Sequence, residues 1–202
     1  MNAVSLILLA VIAIGIYIFS AYNKFVTIKT RIKASIQEIG NQLKRQADLI
    51  PNLVSSVKGY MKHESKIFKD LTEARKTIIN AVKSGNPQKM VDASAIAGKA
   101  LGSIQVMVES TPELKAAAPT TKLMDELRDT SDKVMYSRRT LIDLSADYNV
   151  MVVKFPTNII ANLFKFKEET GLKMPDGAEK EATEVKKEEL KTPKVDLNWP
   201  NF

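Results

Sequence analysis

The residues best suited to chemistry in this sequence are a single histidine and a few scattered charged side chains. His63 is the only histidine and Glu64 follows it, but no second histidine stands four residues on, so the helical zinc-protease pattern is incomplete. The sequence has no cysteine, no Gly-rich phosphate loop and no serine in a nucleophile elbow. We therefore expect no metal, no cofactor and no catalytic residue, and we predict that the chain is not an enzyme.

Three charged residues, Glu64, Arg75 and Arg138, fall on the apolar stripes of predicted helices. Ions in a protein interior are tolerated when they are paired, so we interpret the three as an interhelical polar network that fixes helix register. A ligand site between helices is the alternative. The sequence leaves the pairing open.

The segment that must hold these helices in place is apolar and lies at the N-terminus. No charged residue stands between Asn2 and Asn23, and about 20 helical residues span the hydrocarbon core of a bilayer. A cleaved signal peptide would need a basic stretch before the apolar run, and none is present. We therefore predict a retained single-pass anchor. Its lipid-facing residues are Val4, Leu6, Ile7, Leu8, Leu9, Val11, Ile12, Ile14, Ile16, Tyr17, Ile18 and Phe19.

Basic residues follow the anchor directly, at Lys24, Lys29, Arg31 and Lys33. The positive-inside rule places the following domain in the cytoplasm and the anchor in the cell (inner or plasma) membrane. These four residues are predicted to contact anionic headgroups, at about 1 kcal/mol for each basic residue near the surface. The Lys/Arg runs are not interleaved with aromatic residues on which bases could stack, so we expect no nucleic-acid partner.

Beyond the anchor the composition and periodicity favour helices. Apolar residues make up 45% and aromatic residues 6% of the sequence. From Ile28 to Val82 the apolar residues recur in steps of three and four, which predicts one long amphipathic helix continuing from the anchor. Pro51 predicts a kink near Asp48 to Asn52, or a helix end there, and the unbroken phase favours the kink.

Cap signals divide the rest of the chain. Gly85, Asn86 and Pro87 predict a helix end followed by a second helix over 87–109 that is rich in small residues. These residues suit close packing in the bundle or, alternatively, a self-association face. A short helix is predicted to end at Pro119, after which Thr120 or Thr121 caps the last long helix. The apolar stripe of that helix is predicted at Leu123, Leu127, Val134, Leu141, Tyr148, Val152, Phe155, Ile159, Leu163 and Phe166, with Ser131, Arg138 and Ser145 as polar members.

The predicted fold class is all-α, with the transmembrane helix continuing into an elongated antiparallel bundle of three to four helices. We assign residues 1–23 to the anchor, 24–166 to the cytoplasmic bundle and 167–202 to a polar, charged tail. The tail is too poor in apolar residues to fold alone. Its closing Trp199 and Phe202 nevertheless suggest docking on the bundle or on a neighbouring copy.

Several motifs resemble the LemA family of bacterial membrane proteins. The motifs that carry the resemblance are Gln42 through Val54, Val57-Lys58-Gly59-Tyr60, His63-Glu64, Glu109 with Pro112 through Ala116, Tyr136-Ser137-Arg138, Tyr148-Asn149, Phe155-Pro156 through Ala161, and Phe164-Lys165-Phe166. This sequence departs from the family at Gln46, where relatives usually carry a second arginine, and at Ala117, where Asn is usual. The resemblance implies a membrane helix, an elongated helical domain facing the cytoplasm and no established enzymatic activity.

We therefore predict a non-enzymatic, membrane-anchored scaffold that self-associates at the bilayer as a homo-oligomer, through coiled-coil packing of its long helices. The alternative is an adaptor or sensor that docks a cytoplasmic or membrane protein partner through the tail.

Overall fold

The computed structural model describes residues 2–60 and 65–172, and over these residues it contains six α-helices and no strand. The helices are α1 (Ala3–Val57), α2 (Ser65–Ser84), α3 (Pro87–Ser110), α4 (Pro112–Ala116), α5 (Ala118–Val153) and α6 (Thr157–Leu163). The predicted all-α fold class is confirmed, with a long apolar N-terminal helix that leads into further helices.

Helix α1 runs without a break from the apolar segment into the bundle, as the sequence predicts. Pro51 lies inside the helix, so the alternative of a helix end at that residue is wrong. Proline in a helix interior costs about 3 kcal/mol. The flanking residues Ile50, Leu53 and Val57 are all buried on one side of α1, and burying an aliphatic side chain contributes about 1.5–3 kcal/mol. Packing on both sides of Pro51 therefore offsets its cost.

Helices α1 and α5 form a long antiparallel pair. Three contacts, taken in order along α1, show that α5 runs in the opposite direction. Near the start of the bundle, the ring centroids of Phe25 and Tyr148 are 5.7 Å apart. Further along, Gln46 Nε2 donates to Ser131 Oγ at 2.7 Å, and near the end of α1, Thr120 Oγ1 donates to Ser56 Oγ at 3.4 Å. The start of the bundle in α1 therefore lies beside the end of α5.

Helix α2 folds back on α1, which corrects the prediction of one helix from Ile28 to Val82. Helix α1 ends at Val57, α2 begins at Ser65, and Arg75 Nε donates to the Ala47 carbonyl oxygen at 3.0 Å. The periodicity could not reveal the reversal, because an apolar stripe with steps of three and four is the same in one straight helix and in two helices that bury that stripe against each other.

The predicted boundary between α2 and α3 is confirmed. Gly85 has φ of +64°, the left-handed conformation that glycine adopts at little steric cost. Asn86 is the N-cap of α3 and its side chain accepts a hydrogen bond from the Lys89 amide, with Pro87 in the first turn. The small residues Ala93 and Ala97 are buried, so this part of α3 packs within the bundle.

The predicted start of the last long helix is wrong by a few residues. Helix α5 begins at Ala118 and has no side-chain cap, so neither Thr120 nor Thr121 caps it. Pro119 lies in the first turn, where its missing amide hydrogen is no loss and its fixed φ suits the helix. Thr120 is instead buried against α1, at 1% exposure.

The predicted apolar stripe also fails at its C-terminal end. Phe155, Ile159 and Leu163 are exposed at 73%, 58% and 65%, whereas Ile160 and Ala161 are buried. Helix α5 ends at Val153 and α6 begins at Thr157, so the helical phase is not carried across the interruption and a different face turns inward.

The width of the buried stripe on α1 changes along the helix. Between Ala21 and Ile39 the buried residues follow single steps of three and four, which is the pattern of a helix that packs against one partner. From Gly40 onward adjacent residues such as Gln46 and Ala47 are both buried. A methyl group added at Gly40 would lie 3.7 Å from Met90 Cε at the start of α3. Helices α2 and α3 thus flank the later half of α1, and we call the α1–α5 pair before Gly40 the neck.

Candidate membrane interface

Helix α1 is long and apolar enough to cross a membrane, with a mean hydropathy of 2.6 over an 18-residue window that is 0% buried. Every predicted anchor residue is exposed except Ile18, which is half-buried against the bundle. A helix segment with apolar side chains exposed on all sides is typical of a membrane span.

The basic residues that follow the span are all at the surface. Lys24, Lys29, Arg31 and Lys33 are exposed, which leaves them accessible to headgroups. Lys29 Nζ also lies 3.3 Å from Glu169 Oε1. Because both side chains are partly exposed, the ion pair contributes little to stability, and Lys29 can exchange this partner for a headgroup at small cost. The assignment of these four residues to headgroup contact stays a prediction.

An aromatic cluster closes the bundle at the C-terminal end of the candidate span. Tyr22 lies 4.8 Å from Phe164 between ring centroids, and Phe25 stacks on Phe166 at 4.7 Å. Phe25 also meets Tyr148 edge to face at 5.7 Å. Sequence reasoning placed Tyr148 and Phe166 on a stripe but missed Phe25. Phe25 stands three residues before Ile28, so tracing the stripe back by one step finds it.

Tyr148 is fully buried in this cluster. Its side chain is 0% exposed, and its hydroxyl has no hydrogen-bond partner among the described residues. Burial raises the pKa of the Tyr148 phenol; nearby Lys29 lowers this pKa and Glu169 raises it. The neighbouring Asn149 holds the backbone of Glu169 through two hydrogen bonds of 3.0 and 2.8 Å, which fix the chain after α6 over the end of α5.

We expect Tyr148→Phe to leave stability at pH 7 unchanged within about 1 kcal/mol or to raise it, because the hydroxyl it removes is unpaired. The variant should also lose less stability in alkali. Because the pKa of the Tyr148 phenol is higher in the folded protein than in the unfolded chain, its contribution to stability is fully present below about pH 10 and is lost as the pH rises further. Urea unfolding of both proteins from pH 7 to 11 measures this. All other residues are the same in the two proteins, so the difference between the two curves reports Tyr148, and identical curves would contradict the assignment.

The three predicted network residues are not equally placed. Glu64 lies outside the described residues. Arg75 is half-buried and donates to the Ala47 carbonyl oxygen, and Arg138 is half-buried on α5. Their pairing with one another stays a prediction.

A different polar contact joins the two long helices. Gln46 is 2% exposed and donates to Ser131 Oγ, which in turn donates to the Leu127 carbonyl oxygen at 2.9 Å. Sequence reasoning noted Ser131 as a polar member of the stripe and Gln46 as a departure from related sequences, but it did not connect them. The signal that could have predicted this contact is that both residues are polar and lie on otherwise apolar helix faces.

Within residues 2–60 and 65–172, no group of three or more His, Cys, Asp or Glu side chains is arranged to hold a metal ion. The arrangement that stands out in this part of the chain is an exposed apolar helix with basic and aromatic residues where it enters the bundle.

The model of the LemA family matches residues 35–186 of this chain. Magnetosome protein MamQ of Magnetospirillum gryphiswaldense is 24% identical over 182 residues, which cover 79% of this chain and 67% of that protein. Magnetosome proteins MamQ 1 and MamQ 2 of Paramagnetospirillum magneticum are each 22% identical over the same shares of the two chains.

Proposed function

This chain belongs to the LemA family, and we propose that it is a non-enzymatic, membrane-anchored helical scaffold that self-associates at the bilayer. The family and the candidate span are those of a membrane-associated protein. In this proposal α1 crosses the cell membrane and the bundle lies in the cytoplasm, because the basic residues follow the span and none precedes it.

The observation that carries self-association is an apolar stripe on the outer face of α5. Met135, Ile142, Val150 and Val153 are exposed at 66%, 42%, 54% and 61%. From Ile142 onward they follow, with exposed Ala146, in steps of four, four and three, the spacing of a coiled-coil seam. Met135 lies one heptad before Ile142, with exposed Arg139 between them. The buried face of α5 is a different one, which includes Leu127, Val134 and Leu141.

The stripe is confined to the neck. Before Met135 the corresponding outer positions of α5 are the exposed residues Arg128 and Asp132, and the apolar residues begin only at Met135. In the neck α5 packs against α1, while α2 and α3 flank α1 beyond Gly40. A second copy fits this free face, because copies anchored in one bilayer present their necks at the same height and orientation.

The energetics favour association in the membrane. Burying an Ile or Met side chain contributes about 1.5–3 kcal/mol, so a few such residues in each copy give a stable contact. Anchoring also raises the effective concentration of the copies, because it confines them to one surface with their necks aligned.

We expect Ile142→Glu to dissociate the assembly. The substitution removes an isoleucine that the proposed contact would bury and places a charge there. We expect it to raise the dissociation constant by tenfold or more for each copy, since about 1.4 kcal/mol corresponds to a factor of ten. Light scattering coupled to size-exclusion chromatography of the full-length protein in detergent gives the mass. Ile96→Glu is the matched control, because Ile96 lies on α3 at 45% exposure and outside the stripe.

The proposal is overturned if the wild-type protein is a monodisperse monomer at micromolar concentration. If the mass of the assembly falls in both variants, the contact between copies is not specific to the α5 stripe. The adaptor alternative depends on the tail, which lies outside the described residues beyond Leu172, and it stays a prediction.

A further inference from the structure

An exposed apolar surface lies on the turn between α5 and α6 and on α6 itself. Phe155, Ile159, Leu163 and Phe164 are exposed at 73%, 58%, 65% and 44%. Four large apolar side chains exposed within ten residues of sequence are unusual on a soluble domain and indicate a contact with a partner or a membrane. We call these four residues the α6 surface.

The position of this surface relative to the span is given by direct contacts. The Phe164 ring packs on Tyr22, which lies within the charge-free segment of α1. The turn residues Phe155 and Pro156 share a groove with Lys24 and Ile28. The α6 surface is therefore level with the point where α1 changes from uncharged to basic.

The bundle reaches even further along the span. Ile18 is half-buried against the core although it belongs to the charge-free segment. At about 1.5 Å per residue, Ile18 lies about 9 Å before Lys24, the first charged residue, along the helix axis. The end of the bundle and the end of the span thus overlap, and a bilayer that surrounds the span must meet α6.

The charges around the α6 surface fit a bilayer boundary. Lys154, Lys165 and Lys167 are exposed next to it in sequence, and Lys24 lies across the groove. Asp147 also lines this groove, and Glu168 is exposed beyond Lys167, so the basic residues are in excess. Apolar side chains flanked by lysines are typical of helices that lie in the headgroup region, where long lysine side chains reach the phosphates.

We propose that the α6 surface inserts into the headgroup and upper acyl region of the leaflet from which α1 emerges, as a second membrane contact. Its occupant is lipid, with anionic headgroups beside the lysines. Because α6 packs on α1 through the aromatic cluster, this contact holds the neck at a set angle to the bilayer. The inference rests on insertion of α1, which is part of the proposed function, and not on self-association.

The absence of cysteine from the chain allows a direct test with single-cysteine variants carrying an environment-sensitive fluorophore. We would label Leu163→Cys in the full-length protein, reconstituted in vesicles of equal parts phosphatidylcholine and phosphatidylglycerol. The emission should shift to the blue and lose most of its intensity when a spin-labelled lipid quencher is added. Ile159→Cys should behave in the same way.

Two further variants serve as controls. Val106→Cys is matched in exposure, at 68%, but lies on α3, and it should show neither a blue shift nor quenching. Phe19→Cys, at 69% exposure within the span, reports insertion of α1 and should be quenched.

Quenching at Phe19 without quenching at Leu163 overturns the α6 proposal alone. A blue shift at Leu163 that lipid quenchers leave unchanged also overturns it, because protein then covers the surface. No quenching at Phe19 overturns the proposed membrane insertion together with this inference.

Discussion

Replacing Phe25 with alanine should lower the free energy of unfolding of the bundle by about 3–5 kcal/mol, the usual cost of deleting a fully buried aromatic side chain. Phe25 is 0% exposed and contacts both Phe166 and Tyr148. The substitution leaves a cavity between α1, the end of α5 and the chain after α6. Helices α2 and α3 flank α1 beyond Gly40, so neither lies close enough to fill it.

Phe19→Ala is the matched control for this prediction. It removes the same atoms from the same helix, but Phe19 is 69% exposed and lies within the candidate span. Unfolding by urea in detergent micelles, followed by circular dichroism, measures both variants. We expect the Phe19 variant to have the same free energy of unfolding as the wild type. Equal losses in the two variants would show that the aromatic cluster does not support the bundle.

The second prediction with a large expected effect concerns the distance between α1 and α2, which depends on the reversal of the chain between these two helices. Spin labels on Lys44→Cys and Lys76→Cys would be about 48 Å apart if one straight helix of about 1.5 Å per residue joined them. Arg75 instead contacts Ala47. Because packed helix axes lie about 8–10 Å apart, we expect the measured distance to be shorter than the straight-helix value by about 15 Å or more.

Pulsed electron paramagnetic resonance on the full-length protein measures this distance. Labels at Lys24→Cys and Lys44→Cys provide the control, since both residues are exposed on α1 and should be about 30 Å apart whether or not α2 folds back. A distance near the straight-helix value for the first pair, with the expected control distance, would contradict the fold-back.

Local features of this protein could be predicted from local sequence. Gly85, Asn86 and Pro87 mark a helix boundary because each acts through its own backbone or through residues within one turn. The helical continuation of the span into the bundle follows from the absence of glycine and proline between Tyr22 and Thr27, where the apolar segment gives way to charged residues. The family resemblance covers the same elements and implies the same all-helical architecture.

The candidate site was predicted only in part. The candidate span and the basic residues after it can be identified from hydropathy and charge, and the structure shows that the apolar segment and the four basic residues are exposed on α1. The contact of Gln46 with Ser131 was not predicted, because the two residues lie far apart in the chain and meet only when α5 returns along α1. Three residues of the α6 surface, Phe155, Ile159 and Leu163, were placed on the apolar stripe because the periodicity was extended through Pro156.

The sequence by itself determined that this chain is helical, that one helix near the N-terminus is a candidate span, and which residues along each helix are apolar. Hydropathy, charge and caps act over a few residues, so no tertiary contact is needed to read them. Only the tertiary structure decided where helices reverse and which apolar faces find a partner. Leu71 and Ile142 have the same apolar character, yet one is 0% and the other 42% exposed. Periodicity defines an apolar face on a helix, but only the packing of distant segments decides whether that face is covered.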